Sequence, residues 1–288
     1  MTGTRPDSSP TVLRIILARQ LQALREKAGM SYDQAAEAIY SSSWTIRRIE
    51  RAEGGLKPLT VKSLLMAYGV TDVREIDTFL SLSRDASKPG WWHSYDDVLP
   101  PWFRVAVGLE ESATMIRAYE PQVVPGLLQT EDYITALSAA SFPAATPEET
   151  GRRVALRLAR QEPLTRPGGP GYWVVLEETV LRRPVGDRQV MRGQLAHLIE
   201  AAGLPNVTIQ VIPFAAGWHP ALYGMFNIFR FPEPELADIV YSESLTGAHY
   251  LNKPDETARY TEALDQMSAQ AASPEQTITI LQTTLKEI

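Results

Sequence analysis

Apolar residues recur at helical spacing from the start of the chain. Val12, Ile15, Ile16, Leu17, Leu21 and Leu24 follow Ser9, Pro10 and Thr11. A hydroxyl cap with proline in the first turn suits a helix start. Gly29 stands where that helix should end. Ser31 and Gln34 have capping-box spacing and open a second helix, whose inner face is Ala35, Ala36 and Ile39. Residues 41–43 lead into a third helix over about 43–51, closed by Gly54 and Gly55. A fourth is predicted over 60–68, closed by Gly69, and a fifth over about 72–84. Five short helices with tight Gly- or Ser-marked turns predict an all-α bundle over residues 1–86. Its second and third helices have the spacing of a helix-turn-helix.

The pattern changes at residue 87. SKPGWWHSYDDVLPPWF (87–103) has no period, is rich in Pro and aromatics, and holds three of the six tryptophans. It reads as a connector expected to pack on the second domain. From 104 to 288, apolar runs alternate with helical stretches. YWVVLEE (172–178), VTIQVIPF (207–214), MFNIFRF (225–231) and DIVYSE (238–243) are rich in β-branched and aromatic residues, with turn residues around them, and predict strands. Thr146 to Glu149 form a capping box that opens a helix to about residue 161. Further helices are predicted over 191–203, about 255–270, and from Ser273 to the C-terminus. The second domain is therefore expected to be mixed α/β (α+β), with a sheet of at least four strands.

Charge sharpens this division. The net charge of −6 argues against a nucleic-acid partner when taken over the whole chain. Residues 1–70, however, hold 10 Lys+Arg against 6 Asp+Glu, or +4, and the remaining 18 against 28 give −10. A basic helical module joined to an acidic domain is a pattern of nucleic-acid binding proteins. The chain has no cysteine, which excludes a disulfide framework, zinc–thiolate and iron–sulfur sites and a cysteine nucleophile. No apolar run approaches the ~18 residues of a membrane span, and the first ten residues lack a signal-peptide core. A cytoplasmic protein with no membrane partner is expected.

The third helix carries the clearest chemistry. Ile46 and Ile49 share one face. Trp44, Arg47, Arg48 and Arg51 fall at i, i+3, i+4 and i+7 on the other, with no acidic residue among them. Most charged helix faces are simply solvated, but an outward Trp beside three arginines fits a recognition helix in the DNA major groove. Arginine can take guanine O6 and N7 bidentately, and an indole can press on a thymine methyl. Serines and unbonded backbone N–H groups at the helix start suit phosphates. The candidate DNA-binding residues are Tyr32, Ser42, Ser43, Trp44, Thr45, Arg47, Arg48 and Arg51, the last reaching only phosphate or water.

Over residues 12–70 the chain resembles the lambda-repressor-type helix-turn-helix of the Xre group. The resemblance rests on Leu21, Leu24, Arg25, Gly29 and Ser31, the alanine pair, and Ile49-Glu50-Arg51. It implies a five-helix bundle in which Glu50 pairs with Arg25. It also implies that the base-reading positions are Ser43, Trp44 and Arg48. Tyr32 stands where the family usually has Gln, and Arg47 where it often has Ser. Residues 115–137, 174–186 and 207–231 resemble the domain fused to actinobacterial Xre regulators of the WhiJ type, PGLLQT (125–130) being the most specific string. That resemblance implies an antitoxin-like regulator with a small partner protein encoded nearby, or a small-molecule effector.

Other chemistry is sparse. His93, His197, His219 and His249 have no metal-ligand spacing, and no P-loop or GxSxG occurs. No metal, cofactor or catalytic residue is expected. Glu177 and Glu178, as neighbours on a strand, should point to opposite faces, and with Arg182 and Arg183 they suit an ion pair at a strand end. PGLLQT should end a strand and enter a helix capped by Thr130. It serves as a packed turn or as the rim of a site. Gln129 there, with Trp218, His219 and Tyr223 in the aromatic loop GWHPALYG (217–224), are the candidates for a ligand or partner site. The reading is a sequence-specific transcriptional regulator, a repressor binding double-stranded DNA as a homodimer on a near-palindromic operator, whose second domain senses a partner or ligand. Two alternatives stand beside it. One is an antitoxin-like protein that holds a small partner and autoregulates. The other is an enzyme, which a pocket holding two converging carboxylates, or a carboxylate and His219, would favour.

Overall fold

The computed structural model describes residues 8–54, 56–221, 224–234 and 236–288. The chain divides into two compact units, Met1–His93 and Ser94–Ile288. The division falls inside the predicted connector. Trp91 and Trp92, packed edge to face at 6.0 Å, go with the first unit, while Trp102 goes with the second. The segment is therefore shared between the units and does not belong to the second alone.

The first unit holds α1 (Pro10–Lys27), α2 (Tyr32–Ala38), α3 (Ser43–Glu50), α4 (Pro58–Ala67) and α5 (Val73–Ala86). Side chains fix most of the starts. Ser9 accepts from the Val12 N–H, and Ser31 and Gln34 close a reciprocal capping box. Ser42 accepts from the Thr45 N–H, and Asp72 from those of Arg74 and Glu75. Pro58 sits in the first turn of α4, so that helix begins two residues before the predicted Thr60. Val12, Leu17, Leu21, Ala35, Ile46, Ile49, Val61, Leu64 and Leu65 form the core. Ile39, expected on the inner face, is only half-buried and ends α2.

Two turns depart from expectation. The α2–α3 turn passes through Tyr40 in a left-handed conformation (φ +53°), its side chain fully exposed. α3 is closed by Ala52 (φ +59°), with the Glu53 and Gly54 N–H groups both donating to the Arg48 carbonyl. The left-handed position thus falls on Ala52 and not on the expected glycines, of which Gly55 lies outside the described residues.

The second unit holds α6 (Phe103–Ser112), β1 (Met115–Glu120), α7 (Glu131–Ser141), α8 (Pro147–Thr165), β2 (Gly171–Glu177), α9 (Glu178–Arg182), α10 (Arg188–Ala201), β3 (Val207–Ile212), β4 (Phe226–Arg230), β5 (Ile239–Ser244), β6 (Gly247–Leu251), α11 (Pro254–Gln270) and α12 (Pro274–Glu287). Among the described residues the six strands form one sheet in the order β3-β2-β1-β4-β5-β6. β1, β2 and β3 are parallel and are joined by helical crossovers. β4, β5 and β6 are antiparallel. The four predicted strands are β2 to β5. β1 is the strand expected before PGLLQT, and β6 is additional. Arg117 and Glu120 interrupt the apolar character of β1, and β6 is a short, half-exposed edge.

Alternation divides the sheet residues between two faces. On one face Tyr119, Val175, Ile228 and Val240 pack with Leu264 and Met267 of α11. Ile116, Ala118 and Glu120 point to the other. Thr130 caps α7 as expected, but the preceding strand ends at Glu120 and not at Pro125. Glu177 is the last residue of β2 and Glu178 the first of α9, so the two are not strand neighbours on opposite faces.

Candidate functional site

The first unit fixes α3 by one buried ion pair. The Arg25 Nε and Nη2 donate to the two oxygens of Glu50 at 2.6 and 2.9 Å, and Nη1 donates to the Met30 carbonyl at 2.8 Å. The pair is a bidentate fork, the stronger form of carboxylate recognition. The hydrogen bond to Glu50 raises the Arg25 guanidinium above its ordinary range. Ile46 and Ile49 are buried alongside, so α3 has one available orientation.

The opposite face of α3 is largely open. Trp44 is 65% exposed, and Arg47 and Arg51 are exposed. Rings set the guanidiniums in place. Arg47 lies 4.1 Å from the Tyr32 ring centroid, and Arg25 lies 4.2 Å from it. Arg48 lies 4.6 Å from the Trp44 ring and donates to the Glu53 carbonyl at 2.9 Å. Cation–ring contacts of this kind contribute about 0.5–1 kcal/mol each at exposed sites. Ser42 and Thr45 bond each other at the helix start, and the Ser43 hydroxyl donates to Asp33 of α2. Three of the eight sequence candidates are thus occupied in capping and in tying α2 to α3. Among the described residues, Arg51 makes no ion pair.

The second-unit candidates do not come together. Gln129 is 1% exposed and fully engaged: its Nε2 donates to the Val124 carbonyl at 2.7 Å, and its Oε1 accepts from Arg157 at 3.0 Å. Around it, Gln161 donates to the Gly126 and Gln129 carbonyls. Gln194 accepts from the Thr130 N–H at 2.8 Å and donates to the Leu128 carbonyl at 2.7 Å. PGLLQT is thereby a locked turn and not the rim of a site. Trp218 is 72% exposed, and Tyr223 lies outside the described residues.

His219 reaches a polar cluster at the end of β2. It is 2% exposed, and its Nε2 lies 2.6 Å from Glu177 Oε1. The same oxygen accepts from the Tyr119 hydroxyl at 2.9 Å. The His219 Nδ1 accepts from the Ala221 N–H at 3.4 Å, which leaves Nε2 facing Glu177. Burial first, then the Glu177 charge, pushes the Tyr119 hydroxyl well up, so it remains a donor. The cluster lines a cavity of about 330 Å³ with Pro121, Thr179, Ile212, Pro213, Phe214 and Gly217. Next to it, Glu178 pairs with Arg182 at 2.6 Å, the expected strand-end ion pair, and accepts from the Phe214 N–H.

A second polar cluster went unread in the sequence. Arg160 forms a buried fork with Glu110 at 2.8 and 2.7 Å. Burial, then Arg160, brings Arg157 down to about 10. Burial, then the nearby Glu243, pushes Glu120 up to about 8. The available signal was Arg153, Arg157 and Arg160 at i, i+4 and i+7 on α8, which is a helical stripe made of arginines. Among the described residues no cluster of His, Asp and Glu could hold a metal, and no helix is long and apolar enough to cross a membrane.

Residues 16–79 match a helix-turn-helix domain, in line with the α2–α3 geometry. Residues 103–283, the greater part of the chain, match a domain of unknown function, DUF5753. The protein belongs to that family, with a helix-turn-helix domain at its N-terminal side. No curated protein and no solved structure matches it.

Proposed function

We propose that the protein is a sequence-specific transcriptional regulator of the Xre group. It acts as a repressor, binding as a homodimer to a near-palindromic operator. The observation that carries the reading is the Arg25–Glu50 fork, which holds α3 with Trp44, Arg47 and Arg51 outward and, among the described residues, no carboxylate paired to them. Trp44 and Arg47 read the major groove. Arg48, engaged with Glu53 and Trp44, chiefly positions the indole. Arg51 meets phosphate. Two-fold symmetry would set the two recognition helices about 34 Å apart. The second unit senses a small ligand, and the likeness to WhiJ-type regulators supports a regulatory role for it.

In vitro selection from random duplexes tests the reading. A near-palindrome should emerge. Trp44→Ala should lower affinity for it by about 1–3 kcal/mol, with little effect on scrambled DNA. Arg47→Ala should also weaken the selected site. Failure to enrich any sequence, or equal losses on selected and scrambled DNA, would sink it.

One observation favours catalysis in the second unit, namely the contact between His219 and Glu177. Against it, both imidazole nitrogens face protein groups, Nδ1 the Ala221 N–H and Nε2 Glu177, so neither is turned to a substrate. Binding is the better reading of the same groups.

A further inference from the structure

The cavity at Glu177 has a defined chemistry. It opens at the carboxyl ends of three adjacent parallel strands: Tyr119 of β1, Glu177 of β2 and Ile212 of β3 all line it. Open α/β sheets bind ligands outside their strand carboxyl ends. Its polar centre is a carboxylate with unequal oxygens. Oε1 accepts from the Tyr119 hydroxyl and lies 2.6 Å from the His219 Nε2, whereas Oε2 accepts no hydrogen bond from the described residues. These two contacts fix the carboxylate and leave Oε2 open to a ligand. No lysine or arginine is among the lining residues. The rest of the wall is apolar: Pro121, Ile212, Pro213 and the half-exposed ring of Phe214. A volume of about 330 Å³ lies at the small end of ligand sites and is too small for a folded partner.

We infer that this cavity binds a small organic cation, a protonated amine carrying an apolar or aromatic arm. The ammonium bonds Glu177 Oε2, with the Thr179 hydroxyl as a second acceptor, and the arm lies against Pro213 and Phe214. An anionic ligand is repelled. A neutral one forms no charge-assisted bond with the Glu177 carboxylate. Tyr119 and His219 are positioning residues that orient the carboxylate.

This deepens the ligand-sensing reading of the second unit and rests on it only for its regulatory meaning. Binding is tested on the full chain without DNA, by calorimetry and ligand-observed NMR. The probes are phenethylamine, its neutral analogue phenethyl alcohol, and the anion 3-phenylpropionate. Phenethylamine should bind, with the alcohol weaker by about tenfold or more and the anion not binding, as expected for a charge-assisted bond. Glu177→Gln should lose about tenfold or more in amine affinity. Phe214→Ala, at an exposed position, should weaken binding while leaving the circular dichroism and melting temperature unchanged. Equal binding of amine and alcohol, full affinity in Glu177→Gln, or no binding of the amine at millimolar concentration would each overturn the inference. Operator affinity measured with and without the amine then separates the two ideas. No change there would refute sensing while the site itself stood.

Discussion

The guanidinium of Arg25 is enclosed by three groups: both oxygens of Glu50, the Met30 carbonyl, and the ring of Tyr32. Because the pair is buried, removing one partner leaves a charge with nowhere to go. Glu50→Ala should cost about 3–5 kcal/mol, read by urea unfolding of the first-unit signal. Retention of full stability would show that the fork is incidental. This pair was legible only through the resemblance to the lambda-repressor-type helix-turn-helix, which implies it. The Glu177–His219 pair was not. His219 was noticed for its aromatic loop and Glu177 for its arginine neighbours, and only the sheet brings them together. Glu178 illustrates the same limit. A strand was extended one residue too far, and the facing of two carboxylates was misjudged with it.

At the scale of elements, PGLLQT was recognised as the most specific string of the second unit, and of its two readings, packed turn and rim of a site, the hydrogen bonds favour the turn. The string accepts or donates hydrogen bonds to Gln161 on α8 and Gln194 on α10, and so pins the turn between those helices. A Cβ added at Gly126 would lie 3.3 Å from an Arg160 nitrogen, which accounts for the glycine. Gln194 is fully buried. Gln194→Leu should cost about 1–3 kcal/mol for each of the Thr130 N–H and Leu128 carbonyl groups it orphans. Thermal unfolding of the second unit checks this, and an unchanged midpoint would mean that the turn is held by Leu127 and Leu128 alone. Helix starts were read well where a hydroxyl caps them, as at Ser9, Ser31 and Thr146, whereas α10, capped by the Asp187 carboxylate, was placed three residues late. β1 was expected only as a strand ending at PGLLQT and β6 escaped, because one carries charges that face helices and the other is an edge with no apolar rhythm.

At the scale of the whole molecule, the charge contrast between the two halves of the chain was the strongest sequence clue to a two-part protein. Charge also makes its stability depend on pH. Glu120 faces Glu243 on β5 and Arg157 and Arg160 on α8, and burial followed by Glu243 raises its carboxyl from 4.5 to about 8. The folded state keeps a proton that the unfolded chain releases above about pH 4.5. Stability from this group is therefore full at low pH and is lost as pH climbs towards 8. Glu120→Gln should remove the slope. Its melting temperature should gain on the wild type by about 5 °C or more between pH 5 and pH 8, measured by calorimetry. Parallel curves for the two proteins would show that Glu120 is ionised throughout.

The stacking of Arg47 on Tyr32 and of Arg48 on Trp44 has a kinetic and entropic meaning for docking. Long cationic side chains ordinarily lose about 0.5–1.5 kcal/mol each in rotamer freedom when an interface forms. Here much of that ordering takes place as the domain folds, before any duplex arrives. The surface offered to DNA is a rigid template and not a pair of flexible arms. The Tyr32 ring can then govern affinity without itself touching a base, by holding the Arg47 guanidinium already in the pose that binding requires.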